Sequence, residues 1–264
     1  MSDDLSPKFA SPPVVETALA VQFTDLPWTT IHIGQYHERI VERFPSFAED
    51  TPLPAIVETF PMLPKVPQIQ FGPGPFPVRS KFFSADKATL VQVQANRFTF
   101  NWRRPTDSAE YPSFDTNKEL FYNELDWFRS FCEEKKLGVL SPTYCEVVYV
   151  NHLFCQENES IFELANACLV PFQHSPDFGL TSPESLTFNQ TYTLGDNQGR
   201  LYAELGMAWR PDREWFLPLK FTSRVRVEKH DVRTALQNAH DWLIRGFMTI
   251  TRAECRKERW KQDD

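Results

Sequence analysis

Residues 90–105 read LVQVQANRFTFNWRRP and predict a β-hairpin that ends in a tryptophan and two arginines. The two valines fall on odd positions, whereas Phe98, Phe100 and Trp102 fall on even positions. Because strand side chains alternate with period two, a turn around residues 95–97 accounts for this change of parity. The stretch predicts an antiparallel sheet as the centre of the fold.

Similar segments recur in the two halves of the chain. Each half has the predicted order strand, helix, antiparallel strands and long helix. The spacing between the segments differs, so the halves would carry insertions of different length. These matches indicate an internal duplication. The matching segments are residues 15–23 and 145–153 (with Glu16 matching Glu146), 102–105 and 209–211, and 123–127 and 238–242.

The order of elements predicts an α+β fold. In each half a curved antiparallel sheet would wrap around one long amphipathic helix, which resembles a helix-grip arrangement. Two such halves can merge into one continuous antiparallel sheet with the helices on one face. The predicted boundaries are a disordered lead-in over residues 1–12, an N-terminal half over 13–140, a C-terminal half over 141–256 and a tail over 257–264.

Capping residues and apolar spacing predict the helices. Thr116 with Glu119, and Ser160 with Glu163, fit capping boxes, and Asp231 is predicted to cap the last long helix. The apolar faces of the two long helices are predicted to contain Leu120, Phe121, Leu125, Phe128 and Phe131 in the first, and Val232, Leu236, Ala239, Leu243 and Ile250 in the second.

Residues 51–80 form a proline-rich arm with eight prolines. Proline fixes φ and lacks an amide donor, so this stretch is predicted to be extended, with short edge strands at most. Two interpretations remain open. The arm is either a binding loop or dimer-exchanging arm, or a long connection that packs on the sheet.

The composition is that of a globular protein with many aromatic residues. The chain has 264 residues, among them 23 Phe and 7 Trp, and a formal net charge of -7. This charge argues against a general nucleic-acid-binding protein. No apolar run reaches the roughly 20 residues that a membrane helix needs, and residues 1–7 lack the pattern of a signal peptide. We expect a cytoplasmic protein without membrane contact.

The five cysteines are predicted to be free thiols, because their number is odd and no CxxC pair occurs. Clustered zinc-ligand spacing is also absent from the sequence. The P-loop, GxGxxG, HExxH and GxSxG motifs do not occur. Two His-Asp pairs, at residues 230–231 and 240–241, lack the further ligands of metal-dependent phosphohydrolases, and the segment from Pro176 to Glu184 lacks a nuclease Glu-x-Lys. We therefore predict no catalytic residue, metal or cofactor.

Arginines near tryptophans are the candidate binding residues. A guanidinium group can bind a phosphate, a nucleotide or an acidic partner. The alternative is a solvated strand end, whose tryptophan anchors the core and whose arginines pair with surface carboxylates. The candidate partner- or ligand-binding residues are Arg97, Trp102, Arg103, Arg104, Trp209, Arg210, Arg224, Arg226 and His240.

Several short motifs resemble a sporadically distributed family of uncharacterised bacterial proteins of about this length. The motifs extend over nearly the whole chain, but the family has no established activity or catalytic residues to transfer. Its patchy distribution resembles that of mobile-element, toxin–antitoxin and phage-defence genes. The motifs are Pro12–Glu16, Asn101–Arg103, Tyr111–Pro112, Glu146–Asn151, and His240 with Phe247, Ile250 and Thr251.

These observations favour a non-catalytic protein-interaction component, such as an accessory, sensor or antitoxin-like protein of a bacterial defence or stress system. A protein partner is expected, and an open sheet leaves edge strands that can pair in a homodimer. Two alternatives remain open. One is a small-ligand or nucleotide-binding protein with the ligand between a curved sheet and its long helix. The other is an atypical nuclease that uses His240, Asp241 and the arginines.

Overall fold

The computed structural model describes residues 7–62, 78–171, 184–210, 215–228 and 231–263. Ten strands and five α-helices lie within these ranges. The strands are β1 (Val14–Phe23), β2 (Ser46–Asp50), β3 (Arg79–Phe83), β4 (Thr89–Gln94), β5 (Arg97–Arg103), β6 (Pro142–Phe154), β7 (Phe188–Thr193), β8 (Gly199–Leu205), β9 (Ala208–Trp209) and β10 (Trp215–Arg226). The helices are α1 (Thr30–Ile40), α2 (Phe114–Glu134), α3 (Ile161–Cys168), α4 (Val232–Ile250) and α5 (Ala253–Arg259).

All these strands belong to one antiparallel sheet, so the predicted α+β class and the continuous sheet are confirmed. The strand order is β2-β3-β4-β5-β1-β6-β10-β8-β7, and β9 pairs separately with β10. The predicted hairpin is β4–β5, with Val91 opposite Phe100 and Val93 opposite Phe98. The two strands are linked by a tight turn at residues 95–96. The turn therefore does bring both apolar sets to one face of the sheet.

The five helices pack against that face, and their buried side chains join those of the strands in one core cluster. Phe98 of β5 stacks on Phe128 of α2 with ring centroids 5.3 Å apart, and Phe128 also contacts Tyr36 of α1 at 5.5 Å. Rings of this kind contribute large buried areas and edge-to-face contacts. Aromatic packing therefore holds the first two helices on the sheet.

Two of the three predicted helix caps are present in the structure. The Ser160 capping box and the Asp231 cap are confirmed, but α2 begins earlier than expected. Its N-cap is Ser113, whose hydroxyl accepts a hydrogen bond from the backbone amide of Thr116. The predicted Thr116 capping box is therefore wrong. Leu120, assigned to the apolar face, is 40% exposed.

The described part of the proline-rich arm packs on the opposite, open face of the sheet. Residues 51–62, here called the cross-sheet segment, run over β4 and β5 towards β8 and β10. Backbone groups of the segment bond to sheet side chains: Gln94 bonds to Leu53, Arg97 to Pro54, and Gln22 to Ile56. For these residues the interpretation as a connection packed on the sheet is confirmed, whereas residues 63–77 lie outside the described ranges.

Residues 7–13 form an N-terminal strap, although residues 1–12 were predicted to be a disordered lead-in. Ala10 donates to the Lys261 carbonyl at 3.1 Å, and Ser11 donates to the Trp260 carbonyl at 3.1 Å. Asp263 donates in turn to the Lys8 carbonyl at 3.0 Å. The predicted tail over residues 257–264 thus includes the end of α5 and a partner strand for the strap.

One cysteine pair departs from the prediction of free thiols. Cys168 at the end of α3 and Cys255 in α5 form a disulfide, with their Cα atoms 5.0 Å apart. No local pattern indicated this pairing, because the two cysteines are 87 positions apart. Cys132 and Cys145 are buried thiols, as predicted. None of the helices in the described ranges has the length and apolar character needed to cross a membrane.

The two halves of the chain have similar strand connectivity, apart from the short β9, which lies off the main path of the sheet. The first strand of each half, β1 or β6, pairs with the last long strand of that half, β5 or β10, and the other strands follow outwards. β1 and β6 also pair with each other, with Ala18 opposite Val148. Glu16 and Glu146 each lie two positions before that pair, so they occupy equivalent register positions.

Arginines lie opposite both glutamates, Arg103 on β5 and Arg224 on β10. Trp102 precedes Arg103, so its counterpart on β10 is Ser223. The predicted match of Trp102 with Trp209 is therefore wrong, since Trp209 belongs to β9 and pairs with the start of β10. The similarity between the two segments came from short runs of identical letters.

Candidate functional site

The nine candidate residues do not form one site. Two of them lie in a buried polar network on the open face, and two line a cavity at one end of the sheet. One lines a second cavity on the helix face, and one belongs to an exposed aromatic patch. The remaining three, which are Trp102, Arg103 and Arg226, lie outside these four places.

Arg97 and Arg224 meet at Glu146 on the open face. The Nε of Arg224 donates to Glu146 Oε2 at 2.6 Å, and the Nη1 of Arg97 lies 3.9 Å from Glu146 Oε1. Burial lowers the pKa of Arg97, and Glu146 opposes that shift. Burial also disfavours the charged form of Arg224, but the Glu146 carboxylate outweighs it, and the pKa of Arg224 is raised. Both guanidinium groups are therefore bound to the protein itself.

Glu58 of the cross-sheet segment completes this network from above the sheet. Its carboxylate accepts from the Nη1 of Arg200 at 2.5 Å and from the Tyr202 hydroxyl at 2.8 Å. The Nη1 of Arg224 lies 3.4 Å from the same carboxylate. The side chains of Glu58 and Arg200 are each 3% exposed. We call Arg97, Glu146, Arg224, Glu58 and Arg200 the polar network.

The polar network clamps the cross-sheet segment to the sheet. Every one of its carboxylates is engaged by arginine, and Arg200 also bonds to the Thr59 carbonyl. Buried charges are tolerated only when they are paired and hydrogen-bonded. Since its charged groups bind one another, the network joins the cross-sheet segment to the sheet.

Trp102, Arg103 and Arg226 fit the simpler interpretation of a strand end. Trp102 is 6% exposed and contacts Tyr111 edge-to-face at 5.3 Å, so it anchors the core. Arg103 points to the open face, where its Nε lies 3.2 Å from Glu16 Oε2. Arg226 is exposed at the end of β10.

His240 of α4 lines a cavity of about 390 Å³ between the helices and β6, beneath the N-terminal strap. We call it the aromatic cavity. The imidazole ring of His240 stacks on Phe114 at the start of α2, with centroids 3.6 Å apart and an interplanar angle of 7°. The lining also includes Phe9, Val14, Tyr111, Tyr149, Asn151, Leu243, Ile244 and Phe247.

Polar groups occur at a few positions in this cavity. The hydroxyls of Tyr111 and Tyr149 lie 2.7 Å apart. Burial raises the pKa of Tyr111 to about 12, and burial followed by the Tyr111 neighbour raises that of Tyr149. Both phenols are protonated at neutral pH, so one donates to the other and one hydroxyl hydrogen is left for a further acceptor. The Nδ1 of His240 is buried with no hydrogen-bond partner among the described residues.

The nuclease alternative grouped His240 with Asp241 and the arginines. No group of three or more His, Cys, Asp or Glu side chains that could hold a metal ion occurs in the described ranges. Asp241 lies 3.6 Å from the His240 Nδ1, but Arg97 and Arg224 are on the opposite face of the sheet. The other His-Asp pair includes His230, and the segment from Pro176 includes residues 176–183, all of which lie outside the described residues.

Trp209 belongs to an aromatic patch at the end of the sheet. Its ring contacts that of Trp215 edge-to-face, with centroids 4.3 Å apart. Phe154 of β6 packs on Phe216, its partner on β10, with ring centroids 5.7 Å apart. Trp215 and Phe216 are adjacent on β10, so Phe154 and the tryptophan pair lie on opposite faces of this strand end. Phe154 and Trp215 both border one groove there. Trp209, Trp215 and Phe154, which we call the aromatic patch, are 49%, 45% and 40% exposed. These large apolar side chains remain substantially in solvent.

Arg104 and Arg210 come together across the two halves. Both line a cavity of about 630 Å³ on the other side of the strap from the aromatic cavity. Pro12 and Pro13 of the strap line both cavities, so the strap is the wall between them. We call this second space the basic cavity, since Arg259 and Lys261 also line it.

Sequence reasoning missed several residues of these sites. Glu58 lay in a proline-rich stretch without periodicity, and Arg200 lies 142 positions away. Trp215 and Phe154 were assigned to strands, but their exposure depends on where those strands end. The Tyr111–Tyr149 pair did carry a signal, because both tyrosines lie within the motifs of the family resemblance.

Neither a scan against protein-family models nor a search of curated proteins found a match to this chain.

Proposed function

We propose that this chain is a non-catalytic protein-interaction component, and that the aromatic patch is its contact surface. The observation that carries the proposal is the exposure of the Trp209–Trp215 pair at a groove that the exposed Phe154 also borders. Tryptophan is enriched among the residues that dominate binding energy at interfaces. Adjacent exposed aromatic residues mark interaction sites more often than isolated ones do.

Arginine next to the patch adds to its suitability. The Arg210 guanidinium lies 5.0 Å from the centre of the Phe154 ring, a cation–π distance. Interfaces combine apolar anchors with a charged rim, and the patch has this arrangement. A partner with an apolar anchor and nearby carboxylates would complement it.

A tagged pull-down from the native host tests this proposal, with mass spectrometry of captured proteins. The wild type should retain a stoichiometric partner, and the double variant Trp209→Ala/Trp215→Ala should lose it. Trp127→Ala is the matched control, because Trp127 is 43% exposed on α2, away from the patch. Equal retention by both variants would remove the patch from the interface, and turnover of nucleic acid or nucleotides by pure protein would refute the non-catalytic role.

The biological setting rests on the family resemblance. We propose an accessory, sensor or antitoxin-like role in a bacterial defence or stress system, and an origin of the two halves by duplication. The shared connectivity and the equivalent positions of Glu16 and Glu146 support a duplication. Co-transcription with a toxin or nuclease gene in the host, and loss of protection on deletion, would be the expected genetic results.

The aromatic cavity supports a second candidate function, the binding of a small ligand between the sheet and α4. Its volume of about 390 Å³ lies within the range of small-molecule sites. It is lined by aromatic and aliphatic side chains with a few polar groups, and Pro12, Tyr111, Asn151, His240 and Phe247 among them belong to the motifs of the resemblance. Such a lining suits a planar, mainly apolar molecule with one or two acceptors.

Native mass spectrometry of the purified protein tests this second function. A bound small molecule should appear as a defined mass increment that denaturation removes. The variant Ile244→Phe, which adds volume at the cavity wall, should lose the increment while keeping the wild-type unfolding temperature. Wild-type protein that carries no ligand and is not stabilised by any planar aromatic compound tested would count against it.

A further inference from the structure

We propose that the basic cavity binds a small oxyanion, with phosphate as the chemical group that fits it best. The cavity lies at the end of the sheet, between the strap, β6 and α5. The arginines of the two halves contribute one side chain each, Arg104 after β5 and Arg210 after β9. This site adjoins the aromatic patch through Phe154, which lines it, and shares the strap as a wall with the aromatic cavity.

Positive charge predominates in the lining. Arg104, Arg210, Arg259 and Lys261 are basic, and Asp107 and Glu258 are the acidic side chains among the described lining residues. Arg259 is paired with Glu159, so Arg104, Arg210 and Lys261 carry the positive charge offered to a ligand. Asp107 is 89% exposed and lies 3.5 Å from Arg210, so its charge is largely screened by solvent. A concave surface with one predominant sign of charge concentrates ions of the other sign.

Arg104 has donor capacity left for a ligand. Its Nη2 donates to the Pro12 carbonyl at 2.9 Å, which fixes the guanidinium at the wall. Its Nε is buried and has no hydrogen-bond partner among the described residues. That nitrogen is enclosed by protein atoms, so the group that can donate to an oxyanion in the cavity is Nη1, which makes no hydrogen bond among the described residues.

His152 reports the same positive field from the cavity wall. Burial lowers its pKa first, and the nearby Arg210 and Arg104 lower it further, whereas Asp107 acts in the opposite direction. Two guanidinium groups therefore act on one imidazole, and all three side chains line the same cavity. Because arginine forks match the geometry of phosphate and carboxylate oxygens, the arrangement suits a tetrahedral or planar oxyanion.

The size of the cavity favours a small molecule over a macromolecule. The basic groups line a concave space of about 630 Å³ and are not spread over an open surface. A free phosphate ion and the phosphate group of a small metabolite would both satisfy it. A dicarboxylate of similar charge provides the comparison that tells phosphate from carboxylate recognition.

Isothermal titration calorimetry with inorganic phosphate, with phenyl phosphate and with succinate, at low ionic strength, tests the proposal. Wild type should bind the two phosphate compounds and bind succinate more weakly. Arg210→Gln should weaken phosphate binding by roughly tenfold or more, because a charge-assisted contact is lost. Arg226→Gln is the matched control, since it removes the same charge at an exposed position outside the cavity.

The outcomes separate cleanly. Failure of wild type to bind either phosphate compound, or equal weakening by Arg210→Gln and Arg226→Gln, would overturn the proposal. Preference for succinate would overturn the assignment to phosphate. Arg104→Gln provides a second variant, and its thermal unfolding temperature shows whether lost binding reflects the missing guanidinium donors or a displaced strap. The patch variant Trp209→Ala/Trp215→Ala keeps the cavity arginines, so failure of the partner proposal leaves the expected phosphate binding unchanged.

Discussion

The same glutamate–arginine pair occurs on the central strands of both halves, but in two different environments. In the first half the Arg103 Nε lies 3.2 Å from Glu16, and these side chains are 42% and 30% exposed. In the second half Arg224 donates to Glu146 at 2.6 Å, and the side chains are 24% and 9% exposed. Register and residue types are equal, so the difference comes from what covers the pair.

The cover is the cross-sheet segment, which reaches the second pair with Glu58. Water screens exposed pairs, so they contribute little. Excluding water makes each contact of the second pair stronger, and it also makes the loss of any partner costly. The comparison teaches that a repeated surface pair becomes part of the core when a neighbouring loop is laid over it.

The largest expected loss of stability comes from removing the charge of Glu58 in the cross-sheet segment. Glu58→Gln leaves Arg200 buried without its carboxylate, and we expect a loss of about 3 to 5 kcal/mol in the free energy of unfolding. Urea denaturation measures this loss. Glu204→Gln is the control, since Glu204 pairs with Lys220 on the same face but at 48% exposure. Equal losses for the two variants would show that burial does not distinguish them.

A smaller loss is expected from the buried member of the repeated pair. Glu146→Gln removes the charged acceptor of Arg224, while Glu58 still lies 3.4 Å from the same arginine. We expect a decrease of about 2 to 3 kcal/mol in unfolding free energy, typical of a hydrogen bond to a charged group. A decrease within error of that for Glu16→Gln would contradict the role given to the cross-sheet segment.

The exposed member of the pair should matter least. Glu16→Gln retains a side chain that can accept from Asn101, which now bonds Glu16 at 2.8 Å. The expected loss is below about 1 kcal/mol, as for other solvent-exposed pairs. Urea denaturation under the same conditions gives the comparison, and a loss above that of Glu146→Gln would reverse the ranking.

Added salt should increase the difference in coupling energy between the two glutamate–arginine pairs by a few tenths of a kcal/mol. Double-mutant cycles on Glu16–Arg103 and Glu146–Arg224 give the coupling energy of each pair. Raising the ionic strength from about 0.1 M to 1 M shortens the Debye length from roughly 10 Å to 3 Å. The coupling of the first pair should fall, and that of the second should persist. Parallel decreases in the two cycles would mean that water reaches both pairs.

Local patterns predicted the fold well. The β4–β5 hairpin and the apolar face of α4 follow from the periodicity of their own residues. The cap of α4 is equally local, because the Asp231 carboxylate accepts a hydrogen bond from the backbone amide of Thr234. The start of α2 was placed too late because Ser113 has a positive φ of 87°, which is uncommon outside glycine and was not foreseen. Errors of this size concern element ends and not element type.

The sites were harder to predict because they depend on contacts between distant segments. Arg104 and Arg210 were both candidates, but that they share a cavity follows from the sheet order and the strap. Arg97 and Arg224 looked like a basic patch, whereas Glu58 and Glu146 neutralise them. No periodicity marks a glutamate that crosses a sheet to reach Arg200, so the sequence offered no signal for that contact.

The antiparallel contact between the strap and the chain's other end has a mechanical consequence. Lys8 pairs with Asp263, and the next bonds follow at Ala10 and Ser11. A force applied through residues 7 and 263 therefore breaks these bonds one after another before it loads the hydrogen bonds of β1. Since Pro12 and Pro13 of the strap line both cavities, peeling the strap away would join the cavities while the sheet stays intact.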